Sequence, residues 1–131
     1  MDFRPTDQQQ AVIFHDEGPV LVIAGPGAGK TFTLVERIVH LVAHKGVQPE
    51  QLLVATFTEK AANELVSRIA RRLMQEGVQA NVDEMYVGTL HSICLRLLEE
   101  YREFTRLKKN FTLMDQFDQS YFFFQHLHQF E

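Results

Sequence analysis

Apolar residues fall along this chain in two patterns. Short contiguous runs at residues 20–24, 52–55 and 85–88 have strand length and are bounded by Gly, Pro or Thr. Between them apolar residues recur every three or four positions, which is helical spacing. Leu34, Ile38, Leu41 and Val42 mark one helix to about His44, ended by Gly46 and Pro49. Ala62, Leu65, Ile69 and Leu73 mark a second, with Thr58 as cap and Gly77 at its close. Leu90, Ile93, Cys94, Leu97 and Tyr101 mark a third, capped by Thr89. Ahead of these, Thr6 and Gln9 have capping-box spacing, so a short helix is expected from Asp7, pinned to the core by Val12, Ile13 and Phe14. Gly18-Pro19 separates it from the first run, and residues 78–83 read as a loop. Residues 111–114 read as a fourth strand or a loop, and Asp115 caps a last helix bearing Tyr121, Phe122, Phe123, Phe124 and Leu127. Strand–helix alternation predicts an α/β fold, a parallel sheet flanked by helices. Ligands on such sheets gather at the carboxyl ends of the strands, which puts residues 24–31, 56–60 and 88–91 on one edge.

The first of those loops carries the most specific chemistry. Ala24-Gly25-Pro26-Gly27-Ala28-Gly29-Lys30-Thr31 lies between a strand-like run and a helical one, the setting of a phosphate-binding loop. Glycines let backbone N–H groups turn inward around an anion, and the helix N-terminus adds partial positive charge. Lys30 then reaches the β- and γ-phosphates, and the Thr31 hydroxyl holds Mg²⁺. The strict pattern has Gly where this chain has Ala24; the looser Ala-or-Gly form is met. A glutamine amide matches the N6/N7 edge of adenine, a role open to any of Gln8, Gln9 and Gln10.

Composition narrows the class without choosing a function. A chain of 131 residues, 45% hydrophobic and 23% charged, fits one soluble globular domain. A formal net charge of −4 makes no global case for nucleic acid, so any such site is local. The single cysteine, Cys94, excludes an internal disulfide and fits a reducing compartment. Its place in the helical stripe predicts a buried structural thiol. No signal-peptide pattern, bilayer-length apolar run or internal repeat is seen, and a cytoplasmic location is expected.

Four segments together resemble the amino-terminal part of the UvrD/Rep/PcrA-type superfamily 1 DNA helicases. Asp7-Gln8-Gln9-Gln10-Ala11-Val12 is similar to the adenine-sensing Q motif, with Gln8 at the Gln position, and residues 24–31 are similar to helicase motif I. Thr56-Phe57-Thr58-Glu59-Lys60-Ala61-Ala62 resembles motif Ia, and Gly88-Thr89-Leu90-His91 resembles motif Ib. The resemblance implies a P-loop NTPase fold of RecA-like type, with residues 1–115 as part of the first RecA-like domain and 116–131 opening a helical subdomain. It implies ATP and Mg²⁺ as cofactors, with Arg37 joining Gln8 and residues 24–31 in nucleotide binding and Lys30 and Thr31 as the catalytic positions. It further implies single-stranded DNA as a partner, touched by Thr56, Phe57, Thr58, Lys60, Thr89 and His91. Phe57 has a stacking face for a base, and hydroxyls, Lys60 and His91 suit phosphates.

The departures matter as much as the matches. Glu59 stands where motif Ia usually has Asn, Phe32 where Arg is frequent, and Leu90 where Phe is common. Asp83-Glu84 mimics the acidic motif II but follows Gln79-Ala80-Asn81 rather than an apolar strand, so it is read as loop charge. Arg68, Arg71 and Arg72 are read mainly as a solvated face. The expected function is the ATP-binding amino-terminal piece of a DNA helicase whose remaining domains complete the site. Such a piece, lacking motif II, would turn over little. A stand-alone nucleotide- or DNA-binding module is the alternative; a small P-loop kinase is disfavoured because motifs Ia and Ib would be coincidences. Four consecutive aromatics cover every side of the last helix, so self-association through residues 117–130 is expected.

Overall fold

A computed structural model describes residues 4–129, apart from the side chain of His128. Residues 1–96 and 97–131 form two compact units, and each is taken by itself.

The first unit opens with α1 (Asp7–Ile13), begun by the expected capping box: the Thr6 hydroxyl accepts from Gln9 N, and the Gln9 amide oxygen accepts from Thr6 N. Ile13 alone of its three apolar anchors is fully buried; Phe14 remains more than half exposed. Next comes α2 (Lys30–Ala43), then β1 (Leu53–Thr56), α3 (Glu59–Gln75), β2 (Tyr86–Thr89) and α4 (Leu90–Glu100). The two strands pair in parallel, Val54 opposite Val87 and Thr56 opposite Thr89, with α3 as the crossover.

The core forms where α2 and α3 meet one face of this sheet. Val35, Ile38 and Val39 of α2 pack with Leu65, Ile69 and Leu73 of α3, Val54 of β1 and Met85. The α3 stripe is buried at every expected position, Ala62 included. Of the expected α2 stripe Ile38 is buried and Val42 packs against the core, joined there by Val35 and Val39, whereas Leu34 is over a third exposed and lines a cavity. On β1 the side chain of Val54 is buried, and its neighbours Leu53 and Ala55 are exposed. The opposite face is covered over β2, where α4 brings Ser92 and Ile93 against Gly88 and Arg96 over Tyr86, and is open over β1, where Leu53 and Ala55 are exposed.

Three expectations are corrected here. Residues 20–24 form no strand: the segment joins no ladder among the described residues, and Leu21 and Ile23 are 86% and 92% exposed. A strand exists through its backbone pairing, and an apolar run alone does not supply it. Cys94 is exposed rather than buried, and of the predicted α4 stripe only Ile93 is fully buried. Arg72 is no solvated residue. Its guanidinium bonds Glu36 of α2 at 2.8 and 3.2 Å and reaches Glu76 at 2.7 Å, tying α2 to α3. Arg68 pairs locally with Glu64, and Arg71 stays exposed.

In the second unit the end of α4 leads through a short 3-10 turn (Arg102–Phe104) to irregular chain and then α5 (Gln116–His126). Residues 111–114 are loop, not strand. Asp115 caps α5 as expected, accepting from Asp118 N at 2.8 Å.

Candidate functional site

Gly27 and Gly29 take left-handed backbone angles, φ +75° and +80°, which side-chain-bearing residues rarely adopt. That geometry lets the chain double back and enter α2 directly, with Gly29 as its N-cap. Ala28 N donates to Gly25 O at 3.3 Å, closing the turn, and Thr33 bonds Gly29 O through both its backbone N and its hydroxyl. The amides of Lys30 and Thr31 open the helix, where intrahelical acceptors are missing and anions are favoured. The Lys30 ammonium folds back on this loop, donating to Gly25 O at 2.9 Å and Ala24 O at 3.2 Å. Those are neutral acceptors, and an ammonium bonds an anion more strongly than it bonds a carbonyl.

A cavity of about 840 Å³ opens beside the loop. It brings together Gln8, Ala24, Gly25, Ala28, Lys30 and Arg37. Pro26, Gly27, Gly29 and Thr31 lie outside its lining. The Gln8 side chain is exposed and makes no hydrogen bond among the described residues, so its amide is available to a ligand. Arg37 donates from Nη1 to Val12 O at 2.6 Å and His15 O at 2.8 Å, which fastens α1 to α2 and sets one wall of the cavity.

Gln9 is the residue that the sequence left undistinguished among three glutamines. Its Nε2 donates to Ala28 O at 3.1 Å and lies 2.7 Å from where a Cβ on Gly29 would stand. Gln9 thus braces the loop from α1 while its oxygen serves the capping box. The one available signal was that box itself, which fixes Gln9 at the third helical position and leaves Gln8 free.

The carboxyl ends of β1 and β2 form a second cluster. Phe57 is fully exposed, as a stacking platform requires and a core residue does not. The Thr58 hydroxyl caps α3, accepting from Ala61 N at 3.1 Å, and the Thr56 hydroxyl donates to Thr58 O at 3.0 Å. Thr89 accepts from Ser92 N at 3.2 Å, capping α4 as expected, and donates to the Glu59 carboxylate at 2.8 Å. Bonds from Thr89 and Ser92 hold that carboxyl below its usual range. Gly88 lies close to α4: a Cβ there would stand 2.4 Å from the Ser92 hydroxyl, which would have to turn away. Lys60 and His91 are exposed at the openings of α3 and α4. The Asp83-Glu84 pair lies in a 3-10 turn at the opposite, amino end of β2, where Arg96 gathers the carbonyls of Asp83, Glu84 and Met85.

A two-strand parallel sheet with a glycine-rich loop at a helix opening is part of an α/β domain of RecA-like type. The UvrD/REP helicase N-terminal domain family matches residues 5–131, and the chain belongs to that family. It is 40% identical over 111 residues to the ATP-dependent DNA helicase SRS2 of Saccharomyces cerevisiae, a span of 85% of this chain and 9% of that protein. It is 40% identical over 114 residues to the ATP-dependent DNA helicase PcrA of Staphylococcus aureus, 87% of this chain and 15% of that one. The PcrA of Staphylococcus epidermidis is 38% identical over 112 residues, 86% and 15% of the two chains. The chain therefore spans less than a sixth of these relatives' length. Among the described residues no helix is long and apolar enough to cross a membrane.

Proposed function

We propose that this chain is the ATP-binding amino-terminal part of an ATP-dependent DNA helicase, which couples ATP hydrolysis to movement along single-stranded DNA and duplex unwinding. Residues 1–115 belong to the first RecA-like domain and 116–131 begin the next helical subdomain. One observation carries the reading: Lys30, the first residue of α2, shares a cavity with the unengaged side-chain amide of Gln8. The donor set suits a nucleoside triphosphate, with backbone amides and an ammonium for phosphates and a free amide for the base.

In this reading residues 24–29 wrap the phosphates through their amides. Lys30 leaves the carbonyls of Ala24 and Gly25 for the β- and γ-phosphates, and Gln8 and Arg37 orient the rest of the nucleotide. Thr31, exposed in the first turn of α2, gives its hydroxyl to Mg²⁺. ATP supplies the cleavable phosphoanhydride, and Mg²⁺ offsets the charge of its phosphates. Thr56, Phe57, Thr58, Lys60, Thr89 and His91 face single-stranded DNA, Phe57 by stacking and the others by phosphate contacts. Remaining domains of the parent chain complete the site, and the protein works in the cytoplasm.

A second reading has its own observation. Among the described residues no carboxylate joins Lys30 and Thr31, because Asp83 and Glu84 sit at the far end of β2. A nucleotide- or DNA-binding module without catalysis fits that arrangement. The helicase reading and a nucleotide-binding module both predict weak binding of Mg²⁺–ATP by this chain, abolished by Lys30→Ala. Calorimetry giving equal affinity for the two forms would reject the phosphate-loop assignment. Phosphate release stimulated by single-stranded DNA from this chain alone would show that Asp83 or Glu84 acts after all.

A further inference from the structure

The second unit concentrates its positive charge in one short segment. All four of its cations, Arg102, Arg106, Lys108 and Lys109, lie within residues 102–109, with Glu103 as the one acid between them. Arg106, Lys108 and Lys109 are exposed and Arg102 half-buried. None of the four makes an ion pair among the described residues. The unit also holds acids, and two of them, Asp115 and Asp118, are spent on capping α5 instead. A chain of net charge −4 that keeps four cations together without acidic partners carries a local field for an anion.

Two rings stand in the same segment. Phe104 is 79% exposed and Tyr101 53%, their centroids 6.5 Å apart at an interplanar angle of 37°. The turn that presents them is held by its own bonds. Phe104 N donates to Tyr101 O at 3.0 Å, the Thr105 hydroxyl donates to Arg102 O at 2.8 Å, and Leu107 N donates to the Thr105 hydroxyl at 3.2 Å. Cations beside exposed rings match what single strands offer, phosphates at intervals and unstacked base faces between.

We propose that residues 101–109 form a single-stranded nucleic-acid contact in their own right, with Phe104 as the base platform and Arg106, Lys108 and Lys109 on phosphates. This segment shares its partner class with the function proposed above but none of its residues. Membrane-surface binding by cations and rings ordinarily uses an amphipathic helix, and residues 101–109 hold only a short 3-10 turn, so nucleic acid is the better match.

The test is binding of a labelled oligothymidylate by this chain across a salt series, with three comparisons. Replacing Arg106 and Lys108 together by Glu lowers affinity and flattens the salt dependence by about 0.7 for each phosphate no longer neutralised; Arg106→Lys keeps the slope. Phe104→Ala weakens oligothymidylate about tenfold and leaves inorganic polyphosphate binding unchanged, a split that a mere folding defect does not give. A Phe57→Ala, Lys60→Ala chain separates this segment from the residues at the strand ends. If that chain loses all binding while the Arg106/Lys108 variant binds like the parent, the 101–109 contact is overturned and the strand-end contact stands. The reverse result keeps the 101–109 contact and overturns the other. No oligothymidylate binding by the parent chain overturns both. Tighter binding to phosphatidylserine vesicles than to oligothymidylate assigns the segment to membranes and overturns the proposal.

Discussion

Helices α3 and α5 carry comparable apolar content and meet opposite fates. In α3 the residues Ala62, Leu65, Ile69 and Leu73 are at most 3% exposed. In α5 the consecutive Tyr121, Phe122, Phe123 and Phe124 are each at least 40% exposed. Bulk favours α5, whose aromatic side chains each offer more area than any aliphatic one in α3. Spacing decides. Residues at i, i+3, i+7 and i+11 share one stripe, and a sheet with a neighbouring helix covers a stripe. Four in succession point around the whole cylinder, and no single neighbour covers that. What α3 gains by burial, α5 leaves as surface.

The largest effect that sharpens this contrast is on stability. Ile69 is fully buried between α2 and the sheet. Ile69→Ala should cost about 2–5 kcal/mol, through lost transfer energy and the cavity left behind. Phe124→Ala removes a larger side chain that is 73% exposed. It should stay within about 0.5 kcal/mol, as surface changes do. Urea denaturation of both variants checks the pair; similar losses would mean that α5 is covered in solution.

The same contrast explains what the sequence made legible. Where a pattern is satisfied locally, it was readable: the capping box at Thr6, the Asp115 cap, the spacing of the α3 stripe, and the Thr58 and Thr89 caps all depend on residues within four positions. Where a pattern needs a distant partner, composition alone misled. Residues 20–24 have the run of a buried strand and pair with nothing described. Cys94 sits at stripe spacing, but what that face of α4 meets is not encoded in α4. Arg72 looked like solvated charge because Glu36, its partner, lies 36 positions away. At the candidate site the loop glycines, Lys30 and the exposed Phe57 were readable from motif alone. The brace from Gln9 and the Thr89–Glu59 bond were not, since each joins two separate motifs.

A smaller effect probes a polar atom placed in α3-like surroundings. His40 on α2 packs edge-on against Phe14, centroids 4.9 Å apart, and its Nε2 is buried without a hydrogen-bond partner. Burial holds this imidazole below the usual histidine value; His44, Lys45 and Arg37 push the same way, and Asp16 opposes them. The folded state therefore favours the neutral ring. Its contribution is fully present above the unfolded value of about 6.5 and is lost as pH falls through that value toward the lower folded one. His40→Phe should keep the packing and remove this dependence, so thermal midpoints of the variant should be flatter than the parent's from neutral pH down to about pH 5. Parallel curves would show that the ring is not kept neutral by burial.

The smallest expected change in stability accompanies the clearest change in association. We expect self-association through residues 117–130, of which Phe130 lies outside the described residues. Phe117, Tyr121 and Phe124 are each more than half exposed, and Phe117 and Tyr121 stack with ring planes 2° apart. Contiguous exposed apolar surface of this kind drives association, and a second copy offers a matching patch through a two-fold axis. Phe123→Glu puts a charge at the centre of the aromatic run. Because Phe123 is itself 54% exposed, the folded monomer should lose little. The associated form loses far more, since a carboxylate pressed against its symmetry mate is desolvated and faces a like charge. Light scattering at tens of micromolar separates the two effects: a dimer mass for the parent and a monomer mass for Phe123→Glu, with matching unfolding midpoints at dilutions where both are monomeric. A parent that scatters as a strict monomer would leave α5 exposed for another purpose and break the contrast drawn with α3.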